Sequence, residues 1–102
     1  GVGTGGGGGG GGTLVHASRV NATDALAFNP SSVTIPAGDT IYFTIGSVTH
    51  NVVFDTQGAP ANVGDASSTT EKRRFPTAGT FNYHCSLHGT ATTGMRGTVI
   101  VQ

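Results

Sequence analysis

A chain of 102 residues is long enough for one domain with a single small core. Only 10% of its residues are charged, and five Lys and Arg balance five Asp and Glu, so no basic surface points to nucleic acid or to an anionic membrane. No apolar run approaches the roughly 20 residues that a transmembrane segment requires, and a single cysteine excludes an internal disulfide.

The first twelve residues, GVGTGGGGGGGG, hold ten of the 18 glycines. With almost no side chains to bury, they read as a Gly-rich tail of residues 1–12 ahead of a domain of residues 13–102. Their plainest role is a flexible tether. Ordering them would cost on the order of 12–24 kcal/mol in backbone entropy. An ordered tail would therefore need hydrogen-bonded partners, and self-assembly through Gly1 to Gly12 is the expectation in that case. A start at Gly1 with no basic n-region and no apolar h-region reads as a mature, exported chain. The sparse charge fits an extracytoplasmic place: periplasmic, cell-surface or secreted.

From Thr13 onward the texture is all-β. Short runs rich in Val, Ile, Thr, Phe and Tyr predict strands at Thr13 to Val20, Ser32 to Ile35, Thr40 to Ile45, Asn51 to Phe54, Thr69 to Phe75, Thr80 to Cys85 and Gly97 to Val101. Turns are marked by Asn29-Pro30, by Pro36 to Asp39 and by Pro76 to Gly79, where Pro presets φ and Gly tolerates positive φ. About seven to eight short strands at this spacing make a Greek-key β-sandwich or barrel. Glu71 to Arg74, EKRR, is the one dense charge cluster. It reads as a solvated edge strand that blocks unwanted pairing, with a docking patch for an acidic partner as the alternative.

Alternation assigns faces. Ile41, Phe43 and Ile45 share the core side of their strand, with Tyr42 and Thr44 opposite. In the strand ending at Cys85, the same period puts Phe81, Tyr83 and Cys85 inward and Asn82 and His84 outward. His16 and His84 are accordingly expected to be surface or hydrogen-bonded residues without a metal.

Cys85 stands in FNYHCSLHG three positions before His88, with His50 upstream in VTHNVVF and Met95 downstream. A lone thiol staples nothing, so its place beside imidazoles asks for a chemical reason. A thiolate, two imidazoles and a thioether form the mixed soft and borderline donor set of an electron-transfer copper centre. His50 and His88 each lie where a strand meets a loop, so one end of a sandwich can gather both with Cys85. Asn51, next to His50, is the candidate for tying the two ligand segments together.

These segments carry a resemblance. VTIPAGDTIYFTIGSVTHNVVFD, FPTAGTFNYHCSLHG and GMRGTVIV resemble the small blue copper proteins, the cupredoxins, in particular the plastocyanin, amicyanin and halocyanin group, over Val33 to Val101. The resemblance implies a Greek-key sandwich of about eight strands with one mononuclear copper, alternating between Cu(I) and Cu(II), near one end. By position it makes His50 the upstream ligand, Cys85 the thiolate, His88 the second imidazole and Met95 the axial thioether. It also implies that the ring edge of His88 emerges through a mostly apolar patch, with Leu87 nearby, where protein redox partners dock. Six residues, Gly89 to Gly94, separate His88 from Met95, more than that group usually has. A water or a backbone carbonyl therefore stays open as an axial alternative, as does a Met95 that merely fills the core.

The function so implied is transport of single electrons between redox partners outside the cytoplasm. A thiol enzyme using Cys85 with His50 or His88 as base is disfavoured, because the thiol faces apolar residues and neither ligand segment carries an acid to orient the base. Structural zinc prefers four strong ligands, and a thioether is a poor fourth. The rival from another class is a structural subunit of a surface filament, joined through the glycine tail.

Overall fold

The computed structural model describes residues 17–102. The Gly1 to Gly12 tail and His16 lie outside the described residues, and so do the expected tether or assembly role of the one and the expected metal-free role of the other.

Period-two burial builds the sandwich. Nine strands are present among the described residues: β1 Ala17–Ala22, β2 Phe28–Asn29, β3 Ser32–Ile35, β4 Thr40–Ile45, β5 His50–Phe54, β6 Val63–Ala66, β7 Thr69–Arg74, β8 Gly79–Gly89 and β9 Gly94–Val101. Strand β4 buries Ile41, Phe43 and Ile45 and leaves Tyr42 and Thr44 half-buried, as its alternation predicts. Each such apolar side chain contributes roughly 1.5–3 kcal/mol on burial, so the register of β4 is strongly fixed.

The strands form two mixed sheets, ordered β2–β1–β4–β7 and β3–β9–β8–β5–β6. Pairings are antiparallel except for β1 with β4 and β3 with β9, which run parallel. Because parallel neighbours cannot be joined by a hairpin, the chain crosses from sheet to sheet as a Greek key does. Tyr83 bridges the layers. Its ring meets Phe28 edge-on at 4.8 Å, Phe43 at 5.4 Å and Phe54 at 5.9 Å between centroids. Burial pushes its phenol pKa well above the usual value, so it stays neutral.

The expected strands recur with differences in their ends and number: β1 runs to Ala22, two residues past the expected Val20, and residues 13–16 of that expected strand lie outside the described residues. Strands β2 and β6 are additional. Strand β6 reads VGDA, which carries almost no strand propensity, and its pairing with β5 rather than its composition makes it a strand. Ladder bonding in β8 continues four residues past Cys85, and β9 begins at Gly94 instead of Gly97. The charged strand β7 does lie at a sheet edge. Arg73 donates to the carbonyls of Ala61 and Asn62 at 2.8 and 3.0 Å, and Arg74 to that of Gly38 at 3.1 Å, so both guanidinium groups fasten neighbouring backbone to this edge.

Gly97 faces Tyr83 across the β8–β9 ladder, and a Cβ there would overlap the Tyr83 ring and hydroxyl. The Gly97→Ala substitution is therefore expected to lower stability by about 1–3 kcal/mol through overpacking. Urea unfolding should show an earlier midpoint with an unchanged slope.

Candidate metal centre

Cys85 and His88 are three residues apart on one strand. In a regular strand such residues point to opposite faces. Here Gly94 pairs with Gly89 but Arg96 pairs with His84, so Cys85, Ser86, Leu87 and His88 lie opposite Met95 alone. The arc of β8 bulges, the two-residue period breaks, and the Cys85 Sγ and His88 Nδ1 atoms end 3.5 Å apart.

The six residues between His88 and Met95 close into a tight loop. Thr90 N donates to Thr93 O at 2.8 Å, and the hydroxyl of Thr90 accepts from Thr92 N and Thr93 N at 3.2 and 3.1 Å. At its base the backbones nearly touch. A Cβ on Gly94 would come 2.6 Å from His88 O and one on Gly89 would come 2.5 Å from Met95 N, while Gly94 holds φ at 77°. Glycine is required there. The extra residues are thus looped out, and Met95, 2% exposed, remains opposite the Cys85–His88 arc.

His50 begins β5 and is fully buried. Its Nδ1 lies 3.1 Å from His88 Nδ1 and 3.7 Å from Cys85 Sγ. Its Nε2 lies 2.8 Å from the carbonyl oxygen of Thr23. A carbonyl only accepts, so Nε2 is the donor in this contact, and in an uncharged imidazole that leaves the Nδ1 lone pair facing the other two donors. His50, Cys85 and His88 are the one group of metal-ligating His, Cys, Asp or Glu side chains gathered among the described residues.

The donor triangle fits a metal ion. With sides of 3.1, 3.5 and 3.7 Å, its equidistant point lies about 2.0 Å from each corner, close to the about 2.0–2.3 Å of metal–imidazole and metal–thiolate bonds. The group is a trigonal His2Cys set with a buried methionine opposite.

Asn51 ties the two ligand segments together. Its Oδ1 accepts from Ser86 N at 2.8 Å, and its Nδ2 donates to Ser86 Oγ at 2.8 Å and to Asp65 Oδ1 at 3.0 Å. Asp65 belongs to the strand β6 that the sequence did not disclose. His84 points to the opposite face, as alternation predicts, where its Nδ1 lies 2.9 Å from Asp55 Oδ2.

Two features near the site were not foreseen. The turn between β1 and β2 supplies the Thr23 carbonyl, and Asp24 beside it accepts from Ser47 Oγ at 2.6 Å and from Val48 N at 3.1 Å. Those bonds, that of Ser47 first, hold the Asp24 carboxyl below the usual carboxylate range. The same turn exposes Leu26. It and Leu87 are the large apolar side chains most open to solvent among the described residues, at 46% and 47%. Leu26 sits at φ 60°, a region that costs a non-glycine residue about 1–2 kcal/mol. The TDAL sequence signals a turn, but not that it caps an imidazole from another strand.

Replacing Asn51 by Ala leaves the Ser86 amide without its partner and loosens β8 at the bulge. The expected cost is about 1–3 kcal/mol in urea unfolding. Bound metal should also be lost to a chelator faster than from the parent protein.

Comparison with known proteins agrees with this geometry. Residues 15–102 match the family model of copper binding proteins, plastocyanin/azurin family. The plastocyanin of Scenedesmus fuscus is 38% identical over 89 residues, covering 76% of this chain and 89% of the relative. Oxidised plastocyanin of Dryopteris crassirhizoma superimposes with a TM-score of 0.69 at 31% identity, covering 83% of this chain and all of that one. A reduced Cu(I) amicyanin variant shares the fold with a TM-score of 0.70 at 24% identity, over 88% of this chain and 86% of that one. The fold also occurs within the copper nitrite reductase of Thermus scotoductus, at 22% identity and a TM-score of 0.72, where the match covers 87% of this chain but 23% of the enzyme. With a matched family model across its whole sandwich and a donor set shaped for a mononuclear type 1 copper centre, the chain belongs to the plastocyanin/azurin family of copper-binding proteins.

Proposed function

We propose that this protein carries single electrons through one copper held by His50 Nδ1, Cys85 Sγ and His88 Nδ1, with Met95 as the axial thioether, and that it works outside the cytoplasm. The observation that carries this reading is the convergence of one thiol and two imidazole nitrogens within 3.1–3.7 Å on a frame of strands. When bound, the copper supplies a one-electron couple stabilised by thiolate and imidazole donation.

The residues of the chain do the remainder. Thr23 keeps the His50 lone pair aimed inward, and Asn51 fixes the bulge that carries Cys85 and His88. A frame that holds its donors in advance leaves little to rearrange when the charge changes. Cys85 is fully buried, and among the described residues no carboxylate joins the trio, which supports a carrier over a thiol enzyme. Among the described residues no helix is long and apolar enough to cross a membrane.

The electron port is the half-buried ring of His88. Leu87 adjoins it, and Leu26 projects from the turn that caps His50, whose ring packs edge-on to that of His88 at 4.9 Å between centroids. Exposed apolar side chains flanking a redox centre suit brief contact with a partner protein. A strained φ at Leu26 supports a role outside packing. The filament alternative rests on Gly1 to Gly12 alone, outside the described residues.

Addition of Cu(II) to the purified chain should produce one equivalent of an intense visible thiolate-to-copper charge-transfer band. Cys85→Ser should abolish the band, whereas Met95→Leu should keep it and shift the reduction potential. A colourless protein at full copper occupancy would refute the thiolate ligand. In stopped-flow reactions with a redox partner, Leu26→Asp should lower the second-order rate constant about tenfold, which corresponds to about 1.4 kcal/mol of docking free energy, with the visible spectrum unchanged.

A further inference from the structure

Asp24 closes a ring of bonds around His50. Its two carboxylate oxygens accept separately from Ser47 Oγ and Val48 N, in the loop that leads from β4 into His50. The preceding residue, Thr23, places its carbonyl on His50 Nε2. Chain and hydrogen bonds therefore run from His50 back to Val48, across to Asp24, along to Thr23 and back to His50. Gly46 makes room for this contact, since a Cβ there would lie 2.5 Å from Asp24 Oδ1.

We propose that Asp24 is a positioning residue for the metal centre: it clamps the turn after β1 onto the loop before β5, so that the Thr23 carbonyl holds the His50 proton on Nε2 and leaves Nδ1 free for the metal. The inference rests on the reading of His50 as a ligand through Nδ1. Both oxygens of the carboxylate are engaged, so the clamp restrains sliding as well as separation.

The turn itself does not depend on Asp24. Thr23 N and Thr23 Oγ1 both donate to Ala27 O, at 2.9 and 3.1 Å, and Leu26 N donates to Thr23 O at 3.1 Å. Gly46 N still reaches Ala22 O at 3.1 Å. Removing the carboxylate therefore leaves a folded turn that is free to drift from the His50 ring. A neutral His50 without its carbonyl partner can move its proton to Nδ1, the nitrogen that faces Cys85 and His88. Loss of such an outer partner lowers metal affinity by about 10–100-fold in comparable sites.

The test uses the full chain labelled with 15N at histidine. In the copper-free wild type, the His50 ring should show a single tautomer protonated on Nε2. In Asp24→Ala the ring nitrogens should shift toward a mixture of tautomers, and Cu(II) affinity measured by competition with a chelator should fall about tenfold. Asp24→Asn can still accept from Val48 N and can donate to Ser47 Oγ, and it should restore most of both readouts. Ser47→Ala, which removes one of the two clamp bonds, should move both in the same direction by a smaller amount. An Asp24→Ala protein with the wild-type tautomer and an affinity within about twofold would overturn the proposal, as would an Asn variant no better than Ala. The ring spectra are read without metal, so their failure counts against Asp24 alone. Failure of the wild type to bind copper counts against the ligand set.

Discussion

A thiol and an imidazole three positions apart on a β-strand face away from each other unless the strand breaks step. The arc from Cys85 to His88 breaks step opposite Met95, and the centre depends on that irregularity. Gly89 and Gly94 permit it, because only residues without a Cβ let the two backbones close beneath the loop. Asn51 then fastens Ser86 in the middle of the arc through both its amide and its hydroxyl. A bulge re-aims the side chains it carries, which is why such irregularities gather next to functional sites. Here it carries the donor geometry.

The second requirement concerns protons. Nitrogen and sulfur donors bind a metal through lone pairs, so each ring must keep its hydrogen on the far side. For His50 the Thr23 carbonyl does this, from a turn that belongs to the other sheet. The metal end of the sandwich is thus a junction between sheets. β8 and β5 bring the donors, the turn after β1 sets one proton, and Asp65 of β6 supports the asparagine that holds the arc. The same turn displays Leu26, so the element that meets the His50 ring also contributes an exposed apolar side chain to the surface.

Much of this was legible in the sequence because strand periodicity and ligand chemistry leave local marks. The alternation of Thr40–Ile45 and of Phe81, Tyr83 and Cys85 placed the core faces, and the residue types of His50, Cys85 and His88 named the donor set before any distance was available. What escaped was the part that lives in long-range pairing. VGDA has no strand character of its own, and it becomes β6 by pairing with β5. The bulge is a relation between two strands, so reading Thr80 to Cys85 alone ended the strand too soon. Thr23 acts through a backbone carbonyl, which every residue possesses, and no side-chain pattern can announce it. The spacing from His88 to Met95 looked long because sequence distance counts the Thr90–Thr93 loop, which the ladder bypasses.

The polypeptide holds its three donors in place before the metal arrives. Crystal structures of the copper-free, Cu(I) and Cu(II) forms are the decisive measurement. The Nδ1–Nδ1 and Nδ1–Sγ spacings should agree in all three to within about 0.5 Å, the tolerance of a preorganised site. Copper should be bonded to His50 Nδ1, His88 Nδ1 and Cys85 Sγ. A copper-free form with His50 turned away from Thr23, or copper bound without the Cys85 sulfur, would contradict it.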